Sequence, residues 1–211
     1  MSTPPEHPPS PLELLRDKRA LVDTGTGPVA FVVAYAIFGL NTAAAIAVGL
    51  GVALFLERVI RRQSPVNAVG GLLATGLAAF IAVRTGRPEG YFVPRMLIQL
   101  GYAVVFAGSV LIRQPITGFI IATLYRAEPG WRQLATVRRV MNELTLAWAV
   151  LFATRAAVYL FLIVTGRVGL LAAASIVMGW PAFALWMFGS YRLTPQRLRQ
   201  LGAPPPRAEA A

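Results

Sequence analysis

Between Pro28 and Phe55 the chain carries no charged residue, and four more apolar stretches follow: Val66 to Val83, Tyr91 to Ile112, Val140 to Thr165 and Val168 to Tyr191. A helix that crosses a bilayer needs about 20 mostly apolar residues at about 1.5 Å of rise each. A water-soluble domain cannot accommodate five such blocks, because each would have to be buried on every side. Composition agrees: 56% of residues are hydrophobic and 14% charged, where soluble domains carry about a quarter charged. The chain reads as an all-α, polytopic transmembrane helical bundle.

The first block is too long for one spanning helix and short for two, and Gly39-Leu40-Asn41 offers a break. The pattern predicts a short, tilted or re-entrant first helix over about residues 27 to 40 and a second over about 42 to 60. The third follows Ser64-Pro65, the fourth stops at Arg113-Gln114-Pro115, and the fifth and sixth are separated by Gly166-Arg167. Six spanning helices are expected. Residues 116 to 126 hold only a short apolar run, which predicts an interfacial segment between helices four and five with Tyr125 and Trp131 as headgroup-level anchors; a re-entrant hairpin is the alternative. Residues 12 to 21 alternate leucines with charges and read as a short helix at the headgroup level. Residues 1 to 11 and 201 to 211 are Pro-rich and apolar-poor, which predicts disordered tails around a single membrane domain over 12 to 200. No signal peptide is expected, because the first residues lack an apolar core.

Twenty Lys and Arg against nine Asp and Glu give a net charge of +11. In a soluble chain that balance would suggest nucleic acid. Here the basic residues flank apolar blocks, where they set topology and touch anionic headgroups, so no nucleic-acid partner is expected. One set of helix ends holds fifteen basic residues and the other four, Arg84, Arg87, Arg95 and Arg167. Both termini are therefore expected in the cytoplasm, with anionic lipid at that face. Thr85-Gly86-Arg87 and Thr165-Gly166-Arg167 share one side, while Arg62-Gln63-Ser64-Pro65, Arg113-Gln114-Pro115 and Arg192-Leu193-Thr194-Pro195 are each expected to close a helix on the other. Small residues at a spacing of four, Ala45, Gly49 and Ala53 on the second helix, Gly71, Thr75 and Ala79 on the third, Ala103 and Ala107 on the fourth, and Ser175 and Gly179 on the sixth, could pack within the bundle or form a homodimer face. Pro181 is expected to kink the sixth helix.

Several chemistries lack their residues. The absence of cysteine removes disulfides, thiolate nucleophiles and thiolate metal sites, and the one histidine, His7, lies in the first tail. The only aspartates, Asp17 and Asp23, precede the first full span, so two carboxylates cannot share a proton inside the bilayer. No ligand set for a metal and no Gly-rich phosphate loop is present. No enzyme activity, cofactor or metal is expected.

Arg155 stands near the middle of the fifth helix, where a charge costs from about 3 to more than 10 kcal/mol in lipid. It should face the bundle or a wet cavity. Two readings stay open: a structural Arg bonded to helix carbonyls, or a site for an anion or lipid headgroup. Gln99, Asn41 and, nearer the outer surface, Glu89 are its candidate partners. Toward the other end of that helix, Glu143 follows Arg139 by four residues and shares its face, so an ion pair with Arg139 or Arg113 is expected, with a proton relay as the alternative. Glu143 and Arg155 lie about 18 Å apart along the axis and cannot pair.

From about residue 88 onward the chain resembles an uncharacterised actinobacterial integral membrane family, itself similar to the intracellular septation protein A family. The residues that carry this are Glu89-Gly90-Tyr91-Phe92-Val93-Pro94, Ser109-Val110-Leu111-Ile112-Arg113-Gln114-Pro115-Ile116-Thr117-Gly118, Trp131-Arg132 and Leu144-Thr145-Leu146-Ala147-Trp148-Ala149-Val150-Leu151-Phe152, with Arg155 and Tyr159 after them. Gly39, Asn41 and Arg155 depart from the septation-like pattern. The resemblance implies a multi-pass plasma-membrane protein with a non-enzymatic role in envelope or membrane homeostasis, acting through lipid or protein partners. A small transporter or channel passing Arg155 is the alternative.

Overall fold

A computed structural model describes residues 18–61, 65–124 and 134–200. Every regular element in it is helical: α1 (Lys18–Phe38), α2 (Leu40–Ile60), α3 (Pro65–Thr85), a 3-10 turn (Pro88–Phe92), α4 (Val93–Leu111), α5 (Ile116–Leu124), α6 (Ala135–Val164), α7 (Val168–Val177) and α8 (Trp180–Gln200). The all-α bundle read from the sequence is what the chain forms. Four stretches are long and apolar enough to cross a membrane: Leu40–Glu57, Pro88–Leu111, Ala135–Val164 and Val168–Leu198. Thr26–Phe38 and Val69–Thr85 are shorter apolar helices.

Large apolar side chains point outward along these helices. Val33, Ile37 and Phe38 on α1, Leu73, Leu77 and Phe80 on α3, and Val104 and Val105 on α4 are all more than half exposed, at spacings near one helical turn. Water would penalise such surfaces by roughly 25 cal/mol per Å²; hydrocarbon does not. The protein is membrane-embedded.

The described residues form two compact units, one from the residues up to Met96 with Val158–Leu185, the other from Leu97–Ala157 with the residues from Trp186 onward. In the first, α1 packs on α2, α2 on α3, α3 against the 3-10 turn, and α1 against α7. Its core centres on Phe31, fully buried, stacked on Tyr91 at 4.1 Å and met edge-on by Phe92. Ala34, Ala43, Ala47, Ala78 and Ala82 complete the contact. Their small size lets backbones approach where lipid removes the hydrophobic drive between helices. In the second unit Phe106, Trp148 and Phe152 form a ring cluster, with Tyr102 against Phe152 and Trp186 edge-on to Trp148. Trp148 Nε1 donates to Ser190 Oγ at 3.2 Å, satisfying its one polar atom.

Several boundaries differ from the sequence expectation. The apolar length of the first helix, Thr26–Phe38, is short as expected, but α1 extends ahead of it, starting at Lys18 and running through Pro28, because a proline removes only one ladder bond and the apolar residues beyond it are held by the Phe31 core. Residues 18 to 21 thus belong to α1 rather than to a separate surface helix, and residues 12 to 17 lie outside the described residues, as do both tails. The sixth helix is two: α7 ends at Val177 and α8 begins at Trp180, so the kink expected at Pro181 is a break just ahead of it. Pro181 then sits in the first turn of α8, where its missing N–H costs nothing. Nor does Pro195 close a helix, since α8 continues through it to Gln200. On α2 the buried small residues are Ala43, Ala44 and Ala47, whereas Ala45, Gly49 and Ala53 face away; a Cβ built at Gly49 would meet nothing within 4 Å. Smallness permits packing, but the partner helices choose the face.

α5 has nine residues, about 14 Å, and cannot cross a bilayer. Its first turn is pinned to α6: Thr117 Oγ1 donates to Met141 O at 3.1 Å and shares a short hydrogen bond with Thr145 Oγ1. Tyr125 and Trp131, the expected anchors, lie outside the described residues.

Candidate functional site

Three helices in this chain end with one hydrogen-bond pattern. At the end of α3, Gly86 N donates to Val83 O and Arg87 N to Ala82 O; at the end of α6, Gly166 N donates to Ile163 O and Arg167 N to Leu162 O; after α4, Arg113 N donates to Val110 O and Gln114 N to Ser109 O. Each is a cap whose penultimate residue must turn left-handed to satisfy the last carbonyls. Gly86 and Gly166 do so at φ 65° and 69°, and Arg113 does so at φ 59°, the one non-glycine among the described residues with positive φ. Glycine adopts that geometry freely, but a side chain there costs roughly 1–2 kcal/mol. Pro115 prevents the helix from continuing, and Ser109 Oγ accepts from Ile116 N at 3.4 Å, which starts α5.

That corner forms one wall of an open cleft of about 570 Å³, with Val110 and Arg113 on one side and the first three turns of α6 on the other. From α6 come Arg138, Arg139, Asn142 and Glu143, with Ala135 at the helix start and Leu146 at the inner edge. Their spacing of three and four places them on one helical face. Arg139 Nε lies 3.3 Å from Glu143 Oε1, and Arg197 Nη2 approaches Glu143 Oε2 at 4.0 Å. Glu143 is therefore clamped between two guanidiniums. The pairing expected with Arg139 or Arg113 is made with Arg139, and Arg113 lines the same cleft. Asn142 Oδ1 is buried with no hydrogen-bond partner among the described residues.

Arg138, Asn142 and Arg197 were not singled out by sequence reasoning. The signal for the first two was available: Arg138 to Asn142 repeats the four-residue spacing of Arg139 to Glu143. Arg197 was hidden because Pro195 suggested that the helix had already ended.

The other candidates are distributed along the chain. Arg155 is 3% exposed and falls on the buried face of α6, three residues after Phe152 and seven after Trp148. The helix turns its mid-length charge inward, and the side chain is engaged by neighbouring groups. Gln99 on α4 belongs to the same unit; it is half-buried, and its Oε1 has no hydrogen-bond partner among the described residues. Asn41 and Glu89 belong to the other unit. Asn41 is exposed in the first turn of α2. Glu89 is buried in the 3-10 turn, with Oε2 3.5 Å from Arg87 Nε. Its other oxygen lies beside Gly166, where a Cβ would come within 3.4 Å of Oε1.

Among the described residues no three His, Cys, Asp or Glu side chains gather where a metal could bind.

A model of a family described as proteins of unknown function, DUF3159, matches residues 17–200. The chain belongs to this family. The match covers nearly all of the membrane domain, α1 included, whereas the motifs quoted above begin only at residue 88. No curated protein and no solved structure matches the chain. For this DUF3159 protein the geometry is thus the primary guide to function.

Proposed function

We propose that this DUF3159 protein is a non-catalytic, multi-pass plasma-membrane protein of a bacterial envelope, with both termini in the cytoplasm. It supports membrane homeostasis by contacts with anionic lipid headgroups and with other membrane proteins. The observation that carries this reading is the placement of the Arg113, Arg138 and Arg139 cleft directly after the lipid-facing end of α4, where Leu111 and Ile112 are 83% and 68% exposed. Fifteen basic residues on the same set of helix ends support the orientation, and the envelope role follows from the motif resemblance set out in the sequence analysis. A second copy of the chain, meeting through the outward Ala45, Gly49 and Ala53 stripe of α2, is one candidate protein partner.

Deletion of the gene in its own host, followed by measurement of dye entry and detergent sensitivity, tests the role. A permeability defect restored by the wild-type chain is the expected result; unchanged permeability under envelope stress would contradict it. Burial of Arg155 favours a second reading, an anion pathway along α6. The chain has no cysteine, so single substitutions at Thr154, Arg155 and Val158 can be probed with a membrane-impermeant thiol reagent from each side. Modification at these positions would favour the pathway, and protection a structural Arg155.

A further inference from the structure

The cleft beside Arg113 combines two chemistries. Three guanidiniums, from Arg113, Arg138 and Arg139, face one carboxylate, Glu143, so its lining has a net charge of two positive. Arg139 and Arg197 already share Glu143, while neither Arg113 nor Arg138 has an ion pair among the described residues. The first turn of α6 opens at Ala135 on the cleft; Arg138 N donates to Leu134 O at 3.0 Å, and the N–H groups ahead of it have no acceptor within the helix, which adds positive potential at the same place. Beside this polar half the cleft is lined by two apolar side chains, Val110 and the exposed Leu146. The volume falls within the range of small-ligand pockets.

Guanidinium forks match phosphate oxygens in geometry and in charge. A soluble anion would have no use for the apolar edge; an amphiphile uses both. The backbone gives a further sign. A glycine at position 113 would relieve the left-handed turn, yet the chain places there an arginine that lines the cleft, and such strain tends to accompany binding sites. From these features we infer that the cleft binds the phosphate of an anionic phospholipid, with acyl chains leaving past Val110 and Leu146. The inference rests on the lipid-contact reading above and gives it a residue-level site.

Native mass spectrometry of the full chain in mild detergent tests it, with phosphatidylglycerol, phosphatidylcholine and soluble glycerol phosphate as probes. Wild type should bind one phosphatidylglycerol at least tenfold more tightly than phosphatidylcholine. The double variant Arg113→Gly with Arg138→Gln should lose that binding at least tenfold, and Arg113→Gly alone, which the turn tolerates, at least threefold. Arg192→Gln, at an exposed position where the guanidinium lies over Phe188, should stay within twofold. Equal losses in Arg192→Gln and the double variant would overturn the site while leaving diffuse attraction to anionic lipid intact. No preference for phosphatidylglycerol would overturn both. Glycerol phosphate binding as tightly as the lipid would overturn the lipid assignment in favour of a free phosphate ester.

Discussion

The two Thr-Gly-Arg turns and the turn at Arg113 make the same cap with different residues. In both former cases a threonine hydroxyl precedes the glycine and donates back to the helix, Thr85 to Ile81 O and Thr165 to Phe161 O, at 2.7 and 2.8 Å. All the local chemistry serves chain reversal, and the turns are relaxed. At Arg113 the same hydrogen bonds are made with a side chain in a conformation that disfavours it. The difference separates two turns whose residues suit the left-handed cap from one that carries a charged side chain there at some cost to stability.

Substitutions at these turns can break or sharpen that contrast, read as shifts in thermal unfolding of the detergent-solubilised chain. Gly90→Ala should be the most damaging, since a Cβ there would stand 2.8 Å from Thr85 Oγ1 and 3.1 Å from the Ala82 backbone; a loss of about 1–3 kcal/mol is expected, and wild-type stability would mean that the packing under this turn is loose. Gly166→Ala comes next at about 1–2 kcal/mol, combining left-handed strain with the 3.4 Å approach to Glu89. Gly86→Ala tests strain alone, with nothing within 4 Å of its Cβ, and should cost about 1 kcal/mol. Arg113→Gly should reverse the sign, a gain of about 0.5 kcal/mol after the added freedom of the unfolded chain is subtracted. Glu143→Gln should leave stability within about 0.5 kcal/mol, because its pair with Arg139 is exposed and surface pairs are worth little.

Much of the fold was legible because membrane helices declare themselves by length and hydropathy. The third, fourth and fifth helices lie where their apolar runs placed them, and α5 is too short to span, as its run implied. What failed was local chemistry overruled by packing. Pro195 looked like a boundary and is helix interior, since it removes one bond from a ladder that otherwise continues. The stripe at Ala45, Gly49 and Ala53 matched a packing motif, but α2 presents Ala43 and Ala47 to its neighbours instead. At the candidate site, the four-residue spacing of Arg139 and Glu143 was readable. Arg113 was expected near Glu143 and lines the same cleft without pairing with it, whereas the left-handed conformation of an arginine has no sequence signature.

The central claim, that Arg113 gives up stability to hold charge for a lipid phosphate, is tested most directly by thermal unfolding of wild type and Arg113→Gly with and without added phosphatidylglycerol. Without lipid the variant should unfold about 1–2 °C higher, and its lipid-induced rise should be smaller than that of wild type. A variant that unfolds lower without lipid, or that gains as much from the lipid as wild type does, would contradict the account.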